Sequence, residues 1–256
     1  MDLTLWNFKN FMQNFKKEIK YKDIKERRKM VKKIIGILLV IFLFYKEGFS
    51  APCYGTKLPQ KKSFICGLQS HLVVKRNLED EYGRIKSLQN FFLLSYGVVD
   101  WLSLDFKVGS GNITQRSLEG TKINYPTNFA GGYGFRLKLY DKENIKMVLG
   151  FQHISVHPRH TLLEQTKNQA ILDDWQGSFL VSYGLKRLTY YLGAKYSRMD
   201  YIHRVNQERK RKMSDLTKSL GLVLGFDFDI DEKTYLNIET QFLDVKAFSF
   251  SLNYKF

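Results

Sequence analysis

Proline is scarce in this chain, 4 in 256 residues, and cysteine scarcer still, at 2. With so few prolines and no Ser/Gly-rich linker there is no boundary between domains, so the chain reads as one folded unit. Two cysteines are too few for a disulfide framework or a cysteine-rich metal site. The 5 histidines have no acidic or Cys companions at ligand spacing, so neither a metal nor another cofactor is expected. "GSGN", Gly109 to Asn112, ends a strand pattern with no helix after it, which makes it a turn and not a phosphate loop. Long apolar runs are also missing. The clearest one, "IIGILLVIFLFY" at 34–45, has 12 uncharged residues, against the about 20 that a membrane-spanning helix needs.

Aromatic rings and positive charge are abundant. Phe numbers 20 and Tyr 15, yet mean hydropathy is −0.32. A soluble core rarely needs so many rings. The formal charge of +16 is inflated by residues 1–50, which carry 12 Lys/Arg against 5 Asp/Glu; the remainder carries 29 against 20, or +9. That balance suits nucleic acid or an anionic membrane surface.

The first 50 residues separate those partners. "RRKMVKK" before the apolar run and "KEGFSAP" after it make a secretory signal peptide, with Gly48 and Ser50 permitting cleavage after Ser50. "MVKKIIGILLVIFLFYKEGFSA" is a complete signal by itself, so the extension before Met30 reads as a misassigned start. An exported chain meets little nucleic acid. Cys53 and Cys66 lie beyond the cut; they either close a disulfide or remain two separate thiols.

From about residue 63 the dominant period is 2, the strand period. In "SLGLVLGFDFDI" Leu220, Leu222, Leu224, Phe226, Phe228 and Ile230 share one face. Ten strands follow from such runs: 63–76, 86–98, 101–111, 128–140, 145–156, 174–186, 188–202, 217–230, 233–244 and 246–256. Short turns alternate with longer polar loops at 77–85, 112–127, 157–173 and 203–216, which is the plan of a transmembrane barrel. The expected fold is a closed antiparallel transmembrane β-barrel over 63–256, of ten strands with eight as the alternative, after a periplasmic segment at 51–62. Large apolar residues fill one face, and Gly and Ser interrupt the other, as a narrow lumen requires. Arg136, Lys138, Asp105, Lys107, Glu239 and Asp227 are expected to pair within that lumen. Trp101, Tyr140, Trp175, Tyr190, Tyr235 and Tyr254 suit interfacial girdles.

The closing "FSFSLNYKF" resembles the C-terminal signature of bacterial outer-membrane β-barrel proteins, with Phe248, Phe250, Leu252 and Tyr254 alternating up to Phe256. The resemblance implies that these residues are an assembly signal read by the barrel-assembly machinery, and that the protein resides in the cell outer membrane. In "GFQHISVHPRH" the His153-x-Ser155 spacing resembles that of lipid A deacylases, small barrels whose catalytic pair faces the bilayer, with Glu164 the candidate acid. Val156 replaces the Asn usual after that Ser, and ten strands exceed that family's eight.

The run "HRVNQERKRK" places Arg204, Arg209, Lys210, Arg211 and Lys212 where lipopolysaccharide phosphates lie; a solvated charged loop accounts for it equally. The expected partners are outer-membrane lipid and lipopolysaccharide, and the chain is expected to be a monomer. The expected function is an envelope structural or surface-interaction role without enzymatic activity. A lipid A acyl-ester hydrolase and a narrow channel are the alternatives, since a barrel class does not fix a function.

Overall fold

The computed structural model describes residues 52–79, 82–206, 208–213 and 219–256. The expected signal peptide, Met30 and Ala51 lie outside the described residues.

Among the described residues twelve strands form, in chain order β1 (Phe64–Asn77), β2 (Arg84–Val99), β3 (Leu102–Arg116), β4 (Lys122–Lys142), β5 (Ile145–His157), β6 (Thr161–Leu163), β7 (Thr166–Leu185), β8 (Leu188–Val205), β9 (Glu208–Met213), β10 (Leu220–Asp229), β11 (Thr234–Phe242) and β12 (Lys246–Lys255). Ten of them close a ring in the order β7-β5-β4-β3-β2-β1-β12-β11-β10-β8, with β8 returning to β7. Every pairing is antiparallel, and the seam joins β1 to β12, with Leu68 opposite Leu252. The short β6 extends only β7, and β9 only β8, so each is a detached upper piece of the wall.

The ten-strand expectation therefore holds, while the long loops expected at 112–127, 157–173 and 203–216 are largely strand. Residues 112–116 and 122–127 continue the β3–β4 hairpin, and 168–173 pair with 200–205. These stretches are polar on their outer face. A hydrophobic alternation fades there even though the backbone ladder continues above the bilayer.

The two faces of the wall differ in chemistry. Leu68, Phe92, Phe106, Leu149, Phe179, Phe248, Phe250 and Leu252 stand exposed on the outside, while Gln69, Ser103, Asp105, Lys107, Arg136, Lys195, Glu239 and Ser251 are buried inside. A soluble barrel has the reverse arrangement; apolar residues outside and charges inside describe a barrel that lipid surrounds. Phe256 and Tyr254 are exposed as expected, but Tyr235 points inward, 4.7 Å below the Lys57 ammonium, and belongs to no girdle.

The interior is divided along its axis. Its short-turn half is polar, with Arg136 paired to Asp105 at 2.7 Å; nearer the loop end, Asp244 of the β11–β12 turn lies 2.8 Å from Arg76 and 3.2 Å from Lys195. Lys138, expected in the lumen, pairs instead with Asp141 at the rim. Asp227 accepts from Asn237, and Glu239 from Tyr191. The loop half also contains apolar packing. Ile85, Ile113, Tyr125, Ile154, Val156, Leu172, Met199 and Tyr201 pack as one buried cluster.

The segment expected outside the barrel at 51–62 runs within it over its first described residues. Cys53 is buried against Leu180, Tyr191 and Val223, and its N–H donates to Glu239 Oε1 at 2.9 Å. Gln152 donates to the Pro52 carbonyl. Arg136 Nη1 donates to the Tyr54 and Lys57 carbonyls at 3.0 and 2.8 Å, and the Tyr54 ring lies 4.0 Å from the Lys107 ammonium. Tyr54 and Gly55 both take positive φ, 63° and 67°, which folds this strap back inside the lumen. Its backbone needs polar partners, and the charged lumen supplies them.

Both cysteines are free. Cys53 lies in the lumen, while Cys66 alternates with the buried Ile65 and Gly67 and so faces outward. A disulfide would have to pass through the wall, so of the two alternatives the pair of separate thiols is the one observed.

Candidate functional site

Most of the outer wall is apolar, but near the loop-end rim across β5, β7, β8 and β9 it is polar. Strand alternation positions each group. In β5 the buried residues are Val148, Gly150, Gln152, Ile154 and Val156, so Phe151, His153, Ser155 and His157 point outward. In β7 Asp174 and Gln176 are buried, so Asp173, Trp175 and Gly177 face out beside them. The register places Ser155 opposite Asp173, and Asp173 opposite Asp200.

This brings together groups that are scattered in sequence. Ser155 Oγ lies 2.7 Å from His157 Nε2, and the Ser155 hydroxyl also donates to Asp173 Oδ1. His153 Nε2 lies 3.8 Å from the same Asp173 oxygen, and its ring stacks on Trp175 with centroids 3.9 Å apart. Gly131 stands opposite Ser155 on the other flank, and the Phe129 ring covers that glycine, its Cζ 3.1 Å from where a Cβ would stand.

Glu164, the expected acid, sits at positive φ in the β6–β7 turn and is not among the partners of Ser155. Asp173 takes that place, and His157 is the imidazole bonded to the serine where His153 was expected. Spacing within one strand cannot reveal this. The acid comes from the next ring strand, across a register that period alone does not set.

Asp173 and Asp200 are like charges directly opposite across a strand pair, an arrangement that is destabilising unless compensated. Arg211 Nη2 pairs with Asp200 Oδ2, and Arg198 Nε lies 3.5 Å from Asp200 Oδ1. The two guanidinium groups thus offset the two facing carboxylates, Asp200 directly and Asp173 beside it. Below them the wall has a groove of about 490 Å³, lined by Phe151, Trp175, Gly177, Tyr196, Arg198 and Arg211. Gly177 forms its floor. A Cβ there would meet only the Gly150 carbonyl, at 4.0 Å, so the depression exists because a side chain is missing.

The five cations expected to act together are divided by the pleat of β9. Arg204 and Arg209 are opposite one another and line a second, shallow outer depression with Lys167. Arg211 belongs to the Asp200 pair, whereas Lys212 turns toward the Tyr82 ring, 5.3 Å from its centroid. Lys210 is opposite the half-buried His203. Arg198 was not foreseen; its only sequence signal is a charged residue at a lipid-facing position of β8. Among the described residues no cluster of His, Cys, Asp and Glu could hold a metal ion.

No protein-family model matches the chain, and no curated protein matches it. Among solved structures it is similar to the transport unit of the autotransporter AIDA-I from Escherichia coli, at 12% identity over 77% of this chain and 91% of that one, with a TM-score of 0.42. An outer membrane channel from Pseudomonas putida F1 gives 9% identity over 81% and 100%, with a TM-score of 0.44. The outer membrane protein OprG from Pseudomonas aeruginosa gives 10% identity over 78% and 98%, with a TM-score of 0.40. All three neighbours are bacterial outer-membrane proteins.

Proposed function

We propose that the protein is a non-conducting outer-membrane barrel that holds a phosphorylated outer-leaflet lipid, lipopolysaccharide being the expected one, against its bilayer-facing wall. The observation that carries this reading is the Gly177 groove with Arg198 and Arg211 above it. An acyl chain fits an aromatic-walled groove, and a phosphate at its upper end meets two guanidinium groups that share one carboxylate. Arg204, Arg209 and Lys167 extend the positive surface toward the rim. The strap and the apolar cluster fill the lumen, which supports a role on the outer wall in place of solute flow. Export by the signal peptide and assembly through Phe248, Phe250, Leu252, Tyr254 and Phe256 deliver the barrel to that membrane.

Lipid retention tests this. Purified barrel is washed in detergent, titrated with lipopolysaccharide and weighed intact by native mass spectrometry. Gly177→Leu fills the groove at a position with open space, so it should abolish retention while leaving the barrel folded. Retention unchanged by Gly177→Leu and by the double change Arg198→Gln, Arg211→Gln would overturn the reading.

A further inference from the structure

Three acceptor groups meet inside the barrel without a donor among the described residues. His71 of β1 stands opposite Gln89 of β2, and Asp174 of β7 lies across the lumen from them, opposite Ile154 of β5. His71, Gln89 and Asp174 are only 0%, 3% and 3% exposed. The His71 ring, beside the Phe248 backbone, has neither nitrogen in a hydrogen bond, and Gln89 Oε1 and Asp174 Oδ2 accept none. Asp174 Oδ1 accepts from the Ser197 hydroxyl at 2.9 Å, so one carboxylate oxygen is satisfied and the other is not. Buried polar atoms without partners are rare, because each costs the loss of its hydration. All three border a cavity of about 10 Å³, shared with Ile154 and Leu172, which is room for one group the size of a water molecule.

Charge points the same way. The buried carboxylates that face inward are Asp105, Asp174, Asp227, Glu239 and Asp244, five in all, against four buried cations, Arg76, Lys107, Arg136 and Lys195. Among the described residues the buried lumen is therefore one positive charge short. Asp105 and Asp244 have cationic partners, Asp227 an amide donor and Glu239 a phenol and a backbone N–H, whereas Asp174 has the Ser197 hydroxyl.

The strap leads toward this cavity. From Lys57, paired with Asp229 at the short-turn rim, it climbs past Tyr54 and Cys53 to Pro52, whose carbonyl accepts from Gln152. Gln152 lies one pleat repeat below Ile154 on β5, so the cavity is roughly 7 Å above the Pro52 carbonyl. Two residues of extended chain span about 7 Å, which brings the nitrogen of residue 51 within reach.

We infer that the cavity of His71, Gln89 and Asp174 is the seat of the α-ammonium group that cleavage after Ser50 frees on Ala51. Hydrolysis of the Ser50–Ala51 peptide bond by the export peptidase leaves a carboxylate on the leader and an ammonium on Ala51. The three N–H donors of that ammonium answer three acceptors: Asp174 Oδ2, Gln89 Oε1 and one nitrogen of a neutral His71 ring. Its charge brings the buried lumen to five carboxylates and five cations. Before cleavage the same nitrogen is an amide with one proton, no charge and the leader attached. A cavity with room for one water-sized group takes an ammonium and not a continuing chain. Removal of the leader therefore creates the group that fixes the top of the strap, and the strap seats fully only in the cut chain. This assignment is independent of the lipid held on the outer wall.

The experiment uses the mature barrel purified from membranes in detergent. Acetylation by an N-hydroxysuccinimide ester is followed in time, and mass mapping of the N-terminal peptide reads the α-amine separately from the lysines. That peptide should begin at Ala51. Its α-amine should react about 10-fold or more slowly in folded barrel than in urea, while the exposed Lys142 reacts equally in both. Asp174→Asn keeps the shape of the carboxylate and removes its charge; combined with His71→Leu it should speed α-amine labelling by about 10-fold or more, with heat-modifiable gel migration retained. A second variant leaves the wall untouched: Gly-Ser inserted between Ala51 and Pro52 carries the amine past the cavity and should expose it to the same degree. An α-amine that reacts as fast in folded barrel as in urea overturns the seat. Protection that survives either variant in a folded barrel overturns the pairing and leaves a water molecule as the bridge between the three acceptors. A mature chain that begins at any other residue overturns the occupant.

Discussion

Arg136 grips Asp105 with two hydrogen bonds, Nε to Oδ2 at 2.9 Å and Nη2 to Oδ1 at 2.7 Å, while its third nitrogen holds the strap carbonyls of Tyr54 and Lys57. A single guanidinium thus joins two wall strands to the segment inside them. Arg136→Met leaves Asp105 as an uncompensated buried carboxylate and removes the strap's firmest attachment. It should cost about 3–5 kcal/mol in urea-driven unfolding from vesicles. Adding Asp105→Leu to the same chain should recover much of that loss, because an apolar pair no longer buries an unpaired charge.

Planar-bilayer recordings should show no steady conductance, and deleting residues 52–60 should not create one. The strap fills the polar half of the lumen, with Tyr54 reaching the apolar cluster. Ile85, Ile113, Ile154, Leu172, Met199 and Tyr201 pack across the other half. Opening should require both the strap deletion and polar replacements in that cluster. Steady current from the strap deletion alone would mean that the apolar half is not closed.

The two thiols should behave differently toward a small maleimide. In folded barrel, Cys66 reacts through the detergent belt, whereas Cys53 stays unmodified until urea unfolds the chain. Non-reducing and reducing gels should show the same mobility, since the wall separates the two sulfurs. Peptide mass mapping after labelling distinguishes the sites.

Phe250 faces outward in the middle of β12, opposite Ser70 on β1. Phe250→Lys should cost about 2–4 kcal/mol near the bilayer midplane. The neighbouring Ser251→Ala, which faces the lumen, should change stability much less. Both are read from equilibrium unfolding in thin-bilayer vesicles.

The barrel was legible in the sequence because its signal is local. Alternation in "WLSLDFKV" or "SLGLVLGFDFDI" is set by the pleat, and the pleat does not depend on what lies across the lumen. The strap was not legible, because "PCYGTKLPQ" has neither period; it is held by Arg136, Gln152 and Glu239, residues about 80 to 190 positions away. The apolar half of the interior was hidden for a related reason. Where Ile154 and Val156 sit inside and Ser155 and His157 outside, the usual polarity of the two faces is reversed, and alternation alone does not say which face is which. His153 and Ser155 were visible as a pair on one strand. Their carboxylate neighbour was not, because Asp173 and Glu164 are equally ordinary carboxylates until the β5–β7 register is known.

The seam between β1 and β12 has a consequence in time. The strand that must meet Phe64–Asn77 is the one translated after all the others, so no shorter length of chain has a ring to close. An open wall in lipid exposes a row of unpaired N–H and C=O groups, each costing several kcal/mol. The bilayer therefore cannot receive this protein strand by strand and leave it half-built. Every hairpin has to be on hand before the first can stay, and the strap has to be inside before the two edges meet.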